Sequence, residues 1–243
     1  MSKFDIIADK YVDPKLYKPR KLYNSVVKRL IDLLLAVVCL ILFSPIYGII
    51  AILVKLDSPG RVFYRGARTG FYGKQFRVFK FRSMVEGAEK LGGGTTAQND
   101  KRITKVGRLL RKSKLDEIPQ LLNIILGQMS FVGPRPELPR YTALYQGDEK
   151  IILDVRPGIT DMSSIRFIYL EEMVGETNAD ERYEHDILSR KNALRVQYVV
   201  IQSVFLDVWL LLETIRRVIK KMFYFVLGTR GEDHARTSYA EKV

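Results

Sequence analysis

Between residues 33 and 54 the chain carries no charged side chain, inside a longer apolar segment from 30 to 56, LIDLLLAVVCLILFSPIYGIIAILVKL. The run reaches the length of about 20 apolar residues that a helix needs to cross a bilayer core. It follows a charged stretch too long for a cleavable signal peptide. Ser44-Pro45 falls in its middle. Proline removes a backbone donor and crowds the preceding turn, so a break or kink is expected there, with the Ser44 hydroxyl available to a freed carbonyl. Basic residues flank both ends: Lys18, Arg20, Lys21, Lys28 and Arg29 before, and Lys55, Arg61, Arg65, Arg68 and Lys74 after. A spanning helix concentrates Lys and Arg on one side. Two arrangements fit: a re-entrant helix-break-helix that dips into one leaflet, or a transmembrane helix kinked at the proline.

Beyond this run the periodicity changes. Residues 61–82 alternate apolar and basic positions around Gly70 and Gly73, which predicts a short β-hairpin. A loop with three consecutive glycines, 92–94, follows. Leu115, Ile118, Leu121, Leu122 and Ile125 recur at helical spacing, and Pro119 suits a first helical turn, so a helix is predicted to start near Asp116. Residues 192–227 are apolar but interrupted at Gln202, Asp207, Glu213, Arg216, Arg217, Lys220 and Lys221. Their basic and aromatic mixture predicts a helix at a lipid interface, with a core-packed terminal helix as the plainer reading.

Charge narrows the partners. Lys and Arg number 40 against 27 Asp and Glu, a formal charge of +13, so an anionic partner is implied. The single Cys39 and the distant His185 and His234 support neither disulfides nor a zinc cluster. Against this background the acid pair Asp116-Glu117 stands out. Taken alone it reads as a helix cap and dipole partner. Its neighbours change the reading: Arg108, Arg111, Lys112 and Lys114 precede it, Gly133-Pro134-Arg135-Pro136 presents one proline-locked arginine, and Arg156-Pro157-Gly158 presents another. Fixed arginines suit bidentate phosphate recognition, and carboxylates beside them can hold a divalent metal or attack phosphorus. The surrounding bases are expected to keep Asp116 ionised.

Four segments, KRLIDLLLAVVCLILFSPIYGIIAIL, FRVFKFRSM, VGRLLRKSKLDEIPQLLNIILGQMSFVGPRP and VRPGIT, in this order and spacing, resemble the bacterial sugar transferase family, the monotopic polyprenol-phosphate phosphoglycosyl transferases. The resemblance covers residues 28–213 and implies an α+β, mainly helical protein. Residues 1–24 would be a polar leader, 25–57 a re-entrant membrane helix broken at Ser44-Pro45, 58–220 a catalytic domain with interfacial helices and the hairpin, and 221–243 a tail. The implied reaction moves sugar-1-phosphate from a UDP-sugar to undecaprenyl phosphate and releases UMP, the first membrane step of surface glycan assembly. Asp116 would be the nucleophile, forming a covalent phosphosugar intermediate beside a Mg²⁺ (or Mn²⁺) that it helps to bind. Glu117 would be the second acid, and Lys80, Arg111, Arg135 and Arg156 would meet substrate phosphates or nucleotide. The implied setting is the cytoplasmic face of the bacterial inner membrane, among membrane lipids, with a homodimer in the membrane plane compatible.

Two features depart from that pattern. Larger members carry several membrane helices ahead of the catalytic part, so this chain resembles the minimal form. Many members read R-P-G-x-T-G, whereas Thr160 is followed here by Asp161, Met162, Ser163 and Ser164, which leaves the donor sugar open. Asp186 and Asp207 are assigned no role beyond a structural one. A non-enzymatic basic membrane adaptor has no use for an acid pair set among fixed arginines. A phosphatase acting on the same lipid carrier would share the aspartate nucleophile but use water in its second step. The chain has no recognised nucleic-acid motif, so no nucleic acid partner is expected.

Overall fold

The computed structural model describes residues 3–227. Helix α1 (Lys3–Ala8) leads through a 3₁₀ turn and a π turn (Tyr23–Val27) into the long α2 (Lys28–Asp57). A nested hairpin follows: β1 (Phe63–Tyr64) pairs antiparallel with β4 (Lys80–Phe81), and β2 (Ala67–Thr69) with β3 (Gln75–Arg77). Its tip is a 3₁₀ turn in which Tyr72 and Gly73 both take positive φ. Then come α3 (Ala88–Leu91), α4 (Lys105–Ser113), a 3₁₀ turn at Leu115–Glu117, α5 (Gln120–Ile125), β5 (Ser130–Val132), α6 (Pro139–Thr142) and β6 (Gly158–Thr160). The chain closes with α7 (Met162–Arg166), α8 (Leu170–Val174), α9 (Ala179–Arg182), α10 (Leu188–Ile201) and α11 (Val204–Leu227). The mainly helical class and the hairpin match the sequence expectation, while the parallel pair of β5 with β6 was not foreseen. Three residues each are too short to display a period.

Helix α2 is unbroken. The expected interruption at Ser44-Pro45 is absent, because helical geometry continues through Pro45. Pro45 cannot donate to the carbonyl four residues back, that of Ile41, and the Ser44 hydroxyl donates to that same oxygen at 2.8 Å. The proline's missing hydrogen bond is thus replaced locally. Along its whole length α2 lays one stripe on the domain: Lys28, Asp32 and Ala36 are buried, Cys39, Phe43 and Tyr47 are partly covered, and Ile50 and Val54 are buried. The opposite stripe, with Leu34, Ile41, Leu42, Ile49, Ile52 and Leu56, is exposed. Among the described residues, the helix running Tyr23–Asp57 is the one long and apolar enough to cross a membrane.

The leader is not a loose tail. Phe4 of α1 is buried in the main core beside Val132, Met162, Tyr198 and Leu210, and stacks on Trp209 with ring centroids 6.0 Å apart. Asp5 pairs with Arg166 at 3.2 Å. A single buried phenylalanine of this kind contributes about 3–5 kcal/mol when compared with alanine, enough to hold a short helix against the domain. The boundary expected at residue 221 falls inside α11, which runs on to Leu227; the rest of the expected tail, 228–243, lies outside the described residues. Helix α10 is buried over much of its length, including Arg195 and Gln197. In α11, by contrast, Phe205, Val208, Leu212, Ile215, Ile219 and Phe223 form one exposed apolar stripe, with Leu210 buried on the other side.

Candidate active site

Asp116 and Glu117 sit in the 3₁₀ turn between α4 and α5, not at the start of one helix as expected. Helix α4 ends at Lys114 in the left-handed conformation, φ 61°, and this reversal turns the chain sharply into the acid pair. Neither α5 nor the turn is capped by an Asp116 side chain. The helix-cap explanation of the dyad therefore fails. Both acids are buried, at 4% and 6% exposure, on the wall of a cleft of about 270 Å³. A second hollow of about 940 Å³ shares Asp116, Arg111, Lys80 and Arg68 with it.

The two carboxylates differ sharply. Both Glu117 oxygens are engaged: Lys80 Nζ donates to Oε1 at 2.9 Å, Arg135 Nη1 to Oε2 at 3.1 Å, and Arg135 Nη2 to Oε1. Burial alone would raise Glu117, but Arg135, Lys80 and Lys114 outweigh it and hold the carboxyl well below the usual range. Asp116 has Oδ1 fully buried with no hydrogen-bond partner. Burial is the largest influence on it, and although Lys80 pulls the other way, its carboxyl is pushed up, with the neighbouring Glu117 charge adding to the rise. The surrounding bases expected to favour the ionised form of Asp116 are thus opposed by desolvation, which sets the direction of the shift. Burial likewise pulls Lys80 down to about 8.

Three elements set this geometry. Asn123 of α5 accepts from Phe79 N at 2.8 Å and donates to Arg77 O at 2.9 Å, fixing the hairpin strand that delivers Lys80. Tyr47 of α2 donates to Ile118 O at 2.8 Å. The glycines of the two proline motifs meet backbone to backbone: a Cβ on Gly133 would overlap the Arg156 carbonyl, and one on Gly158 the Gly133 amide. That close approach brings β6 against the turn holding Arg135, and only glycine permits it.

Of the six residues expected at the site, the fold gathers Asp116, Glu117, Lys80, Arg111 and Arg135 around one cleft. Arg111 is tied to Glu171, with its Nε 3.2 Å from the carboxylate. Arg156 is not among the cleft's lining residues. Its guanidinium donates to Gly127 O at 2.9 Å and Asn24 O at 3.1 Å and lies over the Phe71 ring at 5.1 Å, so it staples the base of α2 to the domain. In the structure the proline-locked Arg156 is thus engaged by backbone carbonyls and a ring, outside the cleft where Arg135 sits. Lys191 of α10 and Lys221 of α11 also line the cleft. The sequence places Lys221 only in a basic stretch at the lipid interface, and Lys191, beside Arg190 on α10, carries no motif; their convergence on the cleft is set by packing.

Among the described residues there is no group of three or more His, Cys, Asp and Glu side chains that could hold a metal ion. A hard divalent ion such as Mg²⁺ commonly takes one or two protein carboxylates and completes its sphere with water and substrate phosphates. The unpartnered oxygen of Asp116 fits that mode, whereas Glu117 is already committed to two cations.

The model of the bacterial sugar transferase family matches residues 23–221. A UDP-N-acetylgalactosamine-undecaprenyl-phosphate N-acetylgalactosaminephosphotransferase of Aeromonas hydrophila is 36% identical over 209 residues, covering 83% of this chain and 45% of the relative. A UDP-glucose:undecaprenyl-phosphate glucose-1-phosphate transferase of Escherichia coli (strain K12) is 39% identical over 196 residues, covering 79% of this chain and 40% of the relative. A sugar transferase of Bacillus subtilis (strain 168), itself uncharacterized, is 37% identical over 196 residues and is matched over 88% of its length. The chain thus spans less than half of the first two proteins, and the residues matched by the family model include both α2 and the acid pair. By that match, over nearly all of its described length, the chain belongs to the bacterial sugar transferase family.

Proposed function

We propose that the chain is a phosphoglycosyl transferase that moves sugar-1-phosphate from a UDP-sugar to undecaprenyl phosphate. The observation that carries this reading is the asymmetry of the acid pair. One buried carboxylate is locked by two cations, and the other keeps an unpartnered oxygen in a cationic cleft.

In the first step an Asp116 oxygen forms a bond to the β-phosphorus, and the bond from that phosphorus to the bridging oxygen breaks. UMP departs with the electron pair, leaving sugar-1-phosphate esterified to Asp116. In the second step an oxygen of undecaprenyl phosphate attacks the same phosphorus and the Asp116 carboxylate leaves. Dividing the transfer lets a soluble donor and a lipid acceptor meet Asp116 in turn, as nucleophile in the first step and leaving group in the second. Arg135 and Lys80 shape the positive field in which equatorial phosphate charge develops, and Glu117 holds both in place. A Mg²⁺ or Mn²⁺ ion held by Asp116 and substrate phosphate oxygens would neutralise diphosphate charge. Asp116 would enter the reaction ionised, because a bound cation opposes the desolvation that raises it.

The membrane arrangement follows from α2. A helix of about 45 Å packed along its length against one domain is poorly disposed to cross a bilayer. A continuous α2 with one stripe packed on the domain keeps that domain on one face of the membrane, with the outer stripes of α2 and α11 toward lipid. We place that face on the cytoplasmic side of the bacterial inner membrane, where the cleft would meet the phosphate of the lipid carrier.

The test is UMP release from a panel of UDP-sugars by protein in nanodiscs containing undecaprenyl phosphate and Mg²⁺. Release that requires the lipid and is abolished by Asp116→Asn supports the reading and identifies the sugar. No release with any donor, or full activity of Asp116→Asn, sinks it in favour of a basic membrane adaptor.

A further inference from the structure

The residue that breaks the family-like R-P-G-x-T-G pattern is Asp161, and it is completely buried. Its two oxygens do different work. Oδ1 accepts from Ser164 N at 2.6 Å, capping α7, whereas Oδ2 accepts from the backbone N–H of Arg135 at 3.1 Å and from the Ser163 hydroxyl at 2.7 Å. Arg135 stands between Pro134 and Pro136, so it carries the sole amide donor of that triplet, and Asp161 takes it.

The other side of the turn is held just as firmly. Glu137, two residues past Arg135, is paired with the fully buried Arg195 at 2.5 Å and with Lys191 at 3.6 Å, and accepts from the Tyr183 hydroxyl. Arg195 Nε lies 3.7 Å from Asp161 Oδ2, so one buried guanidinium sits between the two acids that flank Arg135. Outside the turn, Arg135 Nη1 also donates to Ile159 O at 3.1 Å.

We propose that Asp161 is a positioning residue: with Arg195 and Glu137 it clamps the backbone of Arg135, so that the guanidinium meets both Glu117 oxygens and leaves Asp116 unpaired. Resting on the transferase reading above, this assigns the pattern-breaking aspartate to the geometry of the acid pair rather than to the choice of sugar. Asp161 touches no substrate in this scheme and acts through Arg135.

Asp161→Ser separates its two tasks, because serine still caps a helix but cannot also reach the Arg135 amide. In full-length protein in nanodiscs, turnover should fall about tenfold, the scale of one hydrogen bond to a buried charge. The KM for the UDP-sugar should stay within about twofold, since an interaction felt mainly in the transition state lowers kcat rather than binding. Combined with Arg135→Ala, the second substitution should cost nothing further, because both act through the same guanidinium. Amide exchange at Arg135 should accelerate in Asp161→Ser while exchange along α10 is unchanged. That readout needs no activity, so it judges the clamp even if no donor yields UMP and the transferase reading falls. Multiplicative losses in the double variant, a change confined to KM, or unaltered exchange at Arg135 would overturn the proposal.

Discussion

The Tyr47 hydroxyl, two residues beyond Pro45 in α2, donates at 2.8 Å to the carbonyl of Ile118, the residue directly after Glu117. The apolar helix and the acid pair are therefore one mechanical unit. Tyr47→Phe removes that bond and little else, since the ring still packs on Phe81 with centroids 5.5 Å apart. Turnover of UMP release is expected to fall several-fold, in line with a net hydrogen-bond contribution of about 1 kcal/mol. Sedimentation with vesicles should be unaffected; loss of vesicle binding would show that Tyr47 serves anchoring instead.

The acid pair should respond to neutralisation in opposite ways. Glu117→Gln leaves Arg135 and Lys80 buried beside a neutral amide, and breaking a buried pair costs about 3–5 kcal/mol. A large fall in melting temperature is expected. Asp116 is buried and its carboxyl is pushed up, so Asp116→Asn should keep or raise the melting temperature while abolishing activity. Equal destabilisation by the two changes would contradict the asymmetry.

Acid should loosen the protein through Glu137. Burial pushes this carboxyl up, but Arg195 and Lys191 outweigh it and bring it from 4.5 to about 2. Its folded-state value is depressed, so the unfolded chain binds the proton first. The stability it contributes is complete above about pH 4.5 and is lost as pH falls toward 2. Chemical denaturation followed from pH 6 to 2.5 should show that slope, and Glu137→Gln should flatten it while lowering stability at pH 6. A slope unchanged in the variant would assign the acid sensitivity elsewhere.

Arg156 should prove structural. Arg156→Met removes the hydrogen bonds to Gly127 and Asn24 that tie the start of α2 to the domain. A lower melting temperature with an unchanged KM for the UDP-sugar is expected. A selective rise in KM would return Arg156 to the substrate.

The exposed stripe of α11 gives a membrane test. Ile215 and Ile219 are 55% and 63% exposed on one apolar face. Replacing both by Asp should weaken binding to anionic vesicles strongly while the circular dichroism spectrum is kept, because a charge on that face opposes lipid burial. Unchanged vesicle binding would place the lipid contact on α2 alone.

Much of this was legible in the chain itself. The run between residues 33 and 54 fixed where the apolar helix lies, and alternation marked the strands carrying Lys80. The company of bases singled out Asp116 and Glu117, because hydropathy and local charge are properties of neighbours in sequence. Only the tertiary structure decided what each acid is. Glu117 is locked because Lys80 and Arg135, from distant segments, converge on it, and Asp116 rises because burial removes water that no local pattern reveals. It also kept α2 continuous, since the Ser44 hydroxyl satisfies the very carbonyl that Pro45 strands. Arg135 and Arg156 look alike in sequence, each beside a proline. The packing of Gly133 on Gly158 turns one guanidinium into the cleft and the other toward the base of α2, and such an outcome depends on which backbones touch, a long-range fact that composition and period do not contain.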